Sequence, residues 1–290
     1  MRGLFRVIGR IIKGMLGVGF TIILLGIGIF IYARFIEPQL LTVKEQEMIT
    51  HKLTLNTPLK IVQFSDVHLG EDYTLADFKQ VIDKMNALEP DLIIFTGDLI
   101  DDNKSFNEEK GATALLKELQ ATYGKFAVYG NHDHGGNGTK RYARIMANSD
   151  FVLLKDSSET ITLENGQELK LIGIDDIVLG HPNFDTTFKG IESSVFNLFI
   201  SHAPDVVDKV KKQTIDLQLS GHSHGGQVRL PFIGAPFTPP YGQKYVKGLY
   251  SIEESNGMQL YVNSGIGTSQ LPYRFMNVPE ITLLLLTSKA

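Results

Sequence analysis

The sequence predicts an α/β fold: two sheets packed face to face with helices outside, preceded by one helix of membrane-spanning length. Three observations carry this. Strand and helix patterns alternate from Lys60 to Asn148, as in βαβ units. After Phe151 strands follow one another with less helix between them. Ahead of both, Met15 to Ala33 runs 19 residues without a charge, enough at about 1.5 Å per residue to cross the roughly 30 Å core of a bilayer.

Composition limits the chemistry. The 290 residues suffice for one large domain or two small ones, and 43% hydrophobic with 21% charged residues describes a globular chain with an added apolar segment. There is no cysteine. Disulfides, iron–sulfur clusters and thiolate zinc sites are therefore excluded, and any metal must be held by His, Asp, Asn or Glu. Net charge is −4, but residues 1–14 carry Arg2, Arg6, Arg10 and Lys13 and no acid, which leaves the remainder at −8. An acidic body without a basic stripe argues against nucleic acid as a partner. Nothing in the chain points to an obligate protein partner.

The apolar run reads as an uncleaved single-pass anchor over 15–33. Tyr32 sits near its end as an interfacial aromatic, and no small-x-small cleavage site follows in Arg34-Phe35-Ile36-Glu37-Pro38. Basic residues outnumber acids before the span. After it Arg34, Lys44 and Lys52 mix with Glu37, Glu45 and Glu47. The positive-inside tendency then puts residues 1–14 in the cytoplasm and the body on the extracytoplasmic side of the cell membrane.

The body follows in order. Residues 34–58 are a connector of mixed polarity bounded by Pro38 and Pro58, and 59–290 the main domain. Lys60–Ser65 is a buried strand. Apolar residues at 75, 78, 81, 82, 85 and 88 have helical spacing. Asp91–Thr96 is a strand, Glu108–Gln120 a helix with Gly124 after its end, Phe126–Tyr129 a strand and Thr139–Asn148 a helix. Strands are expected over Glu159–Leu163, Glu168–Ile174, Asn197–Ile200 and Asp216–Leu219. More follow over Gln227–Leu230, Lys247–Ile252, Gln259–Val262 and Ile281–Leu286. The Pro-rich segment 231–243 is a loop.

Five motifs sit at strand ends: Asp66-x-His68, Gly97-Asp98 with Asp101 following, Asn131-His132-Asp133, Ser201-His202, and Gly221-His222-Ser223-His224-Gly225-Gly226. Each alone is weak. Asp98 by itself reads as a cap or turn residue, His202 as a satisfied polar group, and a bare His-x-His is often structural. Five of the eight histidines fall in the series, leaving His51, His134 and His181 without a role. Oxygen and imidazole donors just after several strands can converge on one rim and hold two divalent cations.

In this order the series resembles the calcineurin-like metallophosphoesterases, over about residues 59–265. The anchor and the GHSHGGQ block followed by RLPFIG are most similar to a bacterial membrane-associated subgroup, some of whose members act on UDP-2,3-diacylglucosamine. The resemblance implies a four-layer α/β/β/α sandwich. It implies that Asp66, His68 and His224 bind one metal, that Asn131, His202 and His222 bind a second, and that Asp98 bridges them. His132 would contact the scissile phosphate and assist the leaving oxygen, with Asp133 orienting it and Asp101 in a supporting place. With oxygen and imidazole donors only, Mn is the first expectation, with Zn or Fe next.

The expected function is therefore a membrane-anchored dimetal hydrolase of a phosphodiester or pyrophosphate bond. Its substrate would be lipid-linked or nucleotide-lipid, and the predicted topology favours an external phosphodiester over a nucleotide-linked one. Alternatives are a phosphomonoesterase of the same kind and a non-catalytic metal-binding surface adaptor. The run Gly135–Gly138 and loop 231–243 are candidate pocket walls. Phe232, Ile233, Phe237 and Tyr241 are left between lipid contact and ordinary packing.

Overall fold

The computed structural model describes residues 2–289. Met1 and Ala290, at the outer ends of the expected segments, lie outside the described residues, as does the side chain of Arg2. Helix α1 (Arg2–Ile31) takes in the basic segment as well as most of the apolar run. It continues through a wide π turn at Tyr32–Ile36 and a 3-10 turn at Glu37–Gln39. It is long and apolar enough to cross a membrane, with a mean hydropathy of 2.4 in its most apolar window and none of that window buried.

In chain order the body then forms β1 (Thr42–Thr50), β2 (Leu59–Phe64), α2 (Leu75–Asn86), β3 (Leu92–Phe95), α3 (Glu109–Lys117) and β4 (Lys125–Ala127). Next come α4 (Asn131–His134), α5 (Thr139–Asn148), β5 (Phe151–Leu153), β6 (Ser157–Thr162) and β7 (Glu168–Gly173). The strands β8 (Phe196–Ile200), β9 (Leu217–Ser220), β10 (Gly248–Ser251), β11 (Gln259–Val262) and β12 (Glu280–Ser288) complete it. One sheet has the order β1-β12-β2-β3-β4-β5 and the other β10-β11-β9-β8-β7-β6.

Period-2 alternation divides the core into layers. On β2 and β3, Ile61, Leu92 and Ile94 point between the sheets and meet Leu169, Leu171, Leu198 and Leu219. Val62, Phe64, Ile93 and Phe95 face the other way, onto Phe78, Ile82, Leu116 and Tyr142 of α2, α3 and α5. Phe64 and Phe95 stack with centroids 4.4 Å apart. The outer face of the second sheet, with Ile172, Phe199 and Val262, is covered by the short turns of Val206, Val207 and Val210. The α/β/β/α order is thus present with a thin last layer. Helix α2 begins at a reciprocal cap, in which Thr74 and Asp77 each accept the other's main-chain N–H.

Two local expectations fail. The connector holds a nine-residue strand, β1, parallel to the C-terminal strand β12. It is an edge strand whose Lys44, Glu45 and Glu47 stay at least partly in solvent, so its apolar signal is faint. Gln227–Leu230 makes only isolated bridges, Val228 to Phe275 and Leu230 to Gly234, because Gln227 turns out of the extended region at φ 52°.

The parallel run places the site. β2, β3 and β4 are mutually parallel, as are β8 and β9. Their carboxyl ends open on one rim, the edge where ligands of open α/β sheets bind.

Candidate metal centre

Asp66 and His68 follow β2, Asp98 follows β3, Asn131 follows β4, His202 follows β8, and His222 and His224 follow β9. The loops after β2 and β3 are zipped together: the Asp66 and Val67 amides donate to the Gly97 and Asp98 carbonyls at 2.9 and 2.8 Å. Asp66, His68, Asp98, His222 and His224 all hold left-handed backbone, with φ between 50° and 67°. A non-glycine residue there costs about 1–3 kcal/mol. Five such residues on one rim are the mark of a site whose surroundings over-determine it.

The donor atoms fall into three groupings, each with its atoms within 4.8 Å of one another: Asp66, His68 and His224; His68, Asp98 and His132; Asp98, His202 and His222. Asp98 Oδ2 lies 3.2 Å from His202 Nε2 and 3.6 Å from His68 Nε2, between the two outer groupings. The Asn131 side-chain oxygen is buried without a hydrogen-bond partner, a costly state for an amide unless a cation takes the lone pair.

The imidazole tautomers decide what this arrangement accepts. His202 Nδ1 lies 2.7 Å from the Thr96 carbonyl, and His222 Nε2 lies 2.8 Å from the Pro240 carbonyl. A carbonyl only accepts, so both of those nitrogens carry hydrogen. The other nitrogen of each ring is turned inward, and these two face each other at 3.1 Å. On the other side, His68 Nδ1 is held by the Asp101 carboxylate at 3.1 Å, and its Nε2 faces His224 Nε2 at 3.1 Å. At that separation the two nitrogens of each pair share either a proton or a cation. The donor set fits two cations, each held by imidazole and carboxylate and fixed from behind by a carbonyl or carboxylate.

The charges agree. Burial alone would raise the Asp98 carboxyl, but His202, His132 and His68 around it hold it well below the usual carboxylate range. Burial would lower His202, and the Asp98 charge reverses this and pushes it up. His224 is held down by burial, with His68 and Arg274 beside it, and His222 by burial and then His202. Those two rings are therefore neutral at ordinary pH, with a lone pair to offer a cation.

His132 differs. Its side chain remains partly exposed, its Nδ1 donates to the Asp101 carbonyl at 2.7 Å, and its Nε2 is left for a ligand. Asp133 does not orient it, contrary to expectation. The Asp133 carboxylate accepts the main-chain N–H of Asp98 (2.8 Å), Leu99 (3.0 Å) and Gly130 (2.8 Å). It is buried in the chain turn, where those donors take both its oxygens, so it ties the loop of Asp98 to the turn of Asn131. Asp101 orients both His68, by its side chain, and His132, by its main chain. His134 lies apart, between Thr139 and Asp175.

Sequence reading missed the support behind His224. Arg274 is fully buried and donates to the Ser264, Gly267 and Asn277 carbonyls. Asn277 Nδ2 donates to the His224 carbonyl at 2.5 Å. A lone arginine in a loop gives no sequence signal for this. A cleft of about 420 Å³ opens beside His68 and Asp101, with the far wall formed by 268–272. Neither Gly135–Gly138 nor loop 231–243, the expected walls, lines it.

A two-sheet sandwich with this cluster on its rim defines a metal-dependent hydrolase of phosphoesters. Residues 59–226 match the calcineurin-like phosphoesterase family, and the chain belongs to it. It is 39% identical to the metallophosphoesterase YkuE of Bacillus subtilis, over 96% of this chain and 97% of that one. The phosphodiesterase YaeI of Escherichia coli is 29% identical, covering 82% and 87% of the two chains. The UDP-2,3-diacylglucosamine pyrophosphatase LpxG of Chlamydia trachomatis is 27% identical, covering 88% and 92%.

Proposed function

We propose that this hydrolase is a dimetal phosphodiesterase or pyrophosphatase, anchored in the cell membrane by α1 and acting on a lipid-linked phosphoester from the extracytoplasmic side. The observation that carries the dimetal reading is the Asp98 carboxylate between two inward-turned imidazole pairs, His202 with His222 and His68 with His224, the nitrogens of each pair 3.1 Å apart. Asp66, His68 and His224 would hold one cation, Asn131, His202 and His222 the other, and Asp98 both. Mn suits the oxygen and imidazole donors, with Fe or Zn as the next fit. When bound, the cations would neutralise the phosphoryl oxygens and lower the pKa of a nucleophilic water.

The chain's own residues supply the rest. His132, its ring aimed by the Asp101 carbonyl, would present Nε2–H to the leaving oxygen. Asp133 would keep the Asp98 and Asn131 loops in register. LpxG and YaeI support cleavage at a diester or anhydride rather than a monoester. The basic residues Arg6, Arg10 and Lys13 ahead of the apolar stretch support the orientation.

The test is Asp98→Asn. It should lose at least one metal by elemental analysis and nearly all turnover of bis(p-nitrophenyl) phosphate, while circular dichroism stays unchanged. A variant with two metals and near-parental rate would sink the assignment.

A further inference from the structure

We propose that the Leu230–Gly234 hairpin, with the neighbouring Leu271 and Met276, seats on the surface of the bilayer that α1 crosses, and that the cleft takes phosphoester headgroups directly from that surface. The seating stands on geometry alone. The substrate half rests on the phosphoesterase reading above.

No free linker separates the helix from the body. The helix runs straight into its π turn, where Ala33 is buried and its carbonyl accepts the Arg274 N–H at 2.9 Å. Glu37 is fully buried, and its carboxylate accepts the amides of Met276 (2.9 Å) and Asn277. The rings of Phe30 and Tyr273 lie 5.6 Å apart, and those of Tyr32 and Phe275 6.4 Å apart, edge to face. Segment 271–276 therefore stands where the apolar length of α1 ends, at the level of the bilayer surface.

The hairpin is fastened to that segment. Arg229 N donates to the Phe275 carbonyl at 2.8 Å, and Leu230 pairs with Gly234. At its tip Phe232 is 110% exposed and Ile233 71%, while beside it Leu271 is 62% and Met276 57% exposed. Phe232 also holds a left-handed φ of 66°, an unfavoured state for an aromatic that thrusts the ring outward. Single exposed apolar side chains are ordinary. Four together, beside the end of a membrane-length helix, form a surface suited to the headgroup–acyl boundary.

The same loop reaches the chemistry. Residues 268–272 wall the cleft that contains His68 and Asp101, and Thr268 and Pro272 also line a recess with Arg34, Phe35 and Tyr73 at the exit of α1. One loop thus separates the membrane side from the metal rim. A lipid phosphate can reach the rim across it while its acyl chains stay in the leaflet.

The absence of cysteine makes the test direct. Full-length Phe232→Cys, labelled with an environment-sensitive dye and reconstituted in vesicles of phosphatidylethanolamine and phosphatidylglycerol, should be quenched by shallow nitroxide lipids. Asn165→Cys should not be. Asn165 donates to Thr54 beyond the far end of β1, and the strand holds that end roughly 27 Å from Thr42. A dye at 232 quenched by aqueous iodide but not by nitroxide lipid overturns the seating. A shielded dye quenched by neither overturns the bilayer as occupant in favour of protein.

The second arm is Phe232→Ser with Ile233→Ser. It should slow hydrolysis of a phosphodiester lipid in vesicles by at least about tenfold and leave the soluble nitrophenyl diester unaffected. Equal rates on the lipid overturn headgroup delivery. If the parent protein cleaves neither substrate, the phosphoesterase reading fails, and the quenching still decides the seat.

Discussion

The Asp66 carboxylate accepts the main-chain N–H of His222 with both oxygens, at 3.1 and 2.9 Å, across 156 positions of sequence. This contact ties the rim of one sheet to the rim of the other. It exists because Gly221, just before His222, has no side chain: a Cβ there would lie 1.9 Å from Ser65 Oγ and 2.3 Å from Asp66 Oδ2. Gly221→Ala should therefore push the two rims apart. The expected cost is about 1–3 kcal/mol of stability, as for other overpacked cores, together with weakened binding of the metal assigned to Asp66. Calorimetry and metal titration check both. Parental stability and affinity would remove the contact from the account of the site.

His132 is expected to separate catalysis from metal binding. His132→Ala should keep both metals while turnover falls roughly 10²–10⁴-fold if the ring is the general acid. The loss should be smaller for a nitrophenolate leaving group, which needs little protonation, than for an alkyl or sugar alcohol. Elemental analysis and the two rates, measured on one variant, decide. Equal losses on both substrates contradict the acid role.

Helix α1 should be removable, but only above Ala33. A chain starting at Tyr32 retains the Ala33 carbonyl and the Glu37 carboxylate that hold Arg274, Met276 and Asn277. A chain starting at Gln39 loses both. Each hydrogen bond to a charged group is worth about 1.5–3 kcal/mol. The shorter chain should melt several degrees lower, at about 2–4 °C per kcal/mol, and hold metal less well, because Asn277 supports His224. Melting curves of the two truncations, with and without Mn, test this. Identical curves would show that the juxtamembrane turn is not coupled to the site.

Asp175 gives a pH signature away from the metals. Burial would raise its carboxyl, but His134 at 2.7 Å, the His181 amide and Lys155 at 3.2 Å hold it below the usual range. A carboxyl depressed in the folded state stabilises above its unfolded pKa, near 3.9, and loses that contribution as pH falls toward the folded value. Asp175→Asn should thus lower the melting temperature at pH 7, and the gap from the parent should close below about pH 4. A gap independent of pH over that range would mean that the loss is one of packing.

Much of this protein could be read along the chain. Burial on both faces makes β3 a continuous apolar run and leaves β2 and β8 apolar but for Lys60, Gln63 and Asn197, and helical spacing marks α2, so these elements declare themselves locally. The candidate ligands stand directly after such strands, and parallel strands bring their carboxyl ends together, so order in sequence becomes proximity in space. The long apolar helix is legible because length and apolarity are properties of that one segment. β1 was not legible, because an edge strand owes its existence to the ladder offered by β12, some 240 positions away. Gln227–Leu230 misled, because a left-handed turn is set by packing around it and not by apolar pattern.

Sequence by itself therefore determined the sandwich, the membrane-length helix and which residues could meet at the rim. Only the tertiary structure decided how they meet. The carbonyls of Thr96 and Pro240 choose the imidazole tautomers, Asp101 rather than Asp133 aims His132, and Arg274 with Glu37 braces the loop behind His224. Main-chain carbonyls carry no residue identity, and a buried charge is satisfied by whichever groups the fold brings to it. These choices are consequences of three-dimensional packing that no local pattern records.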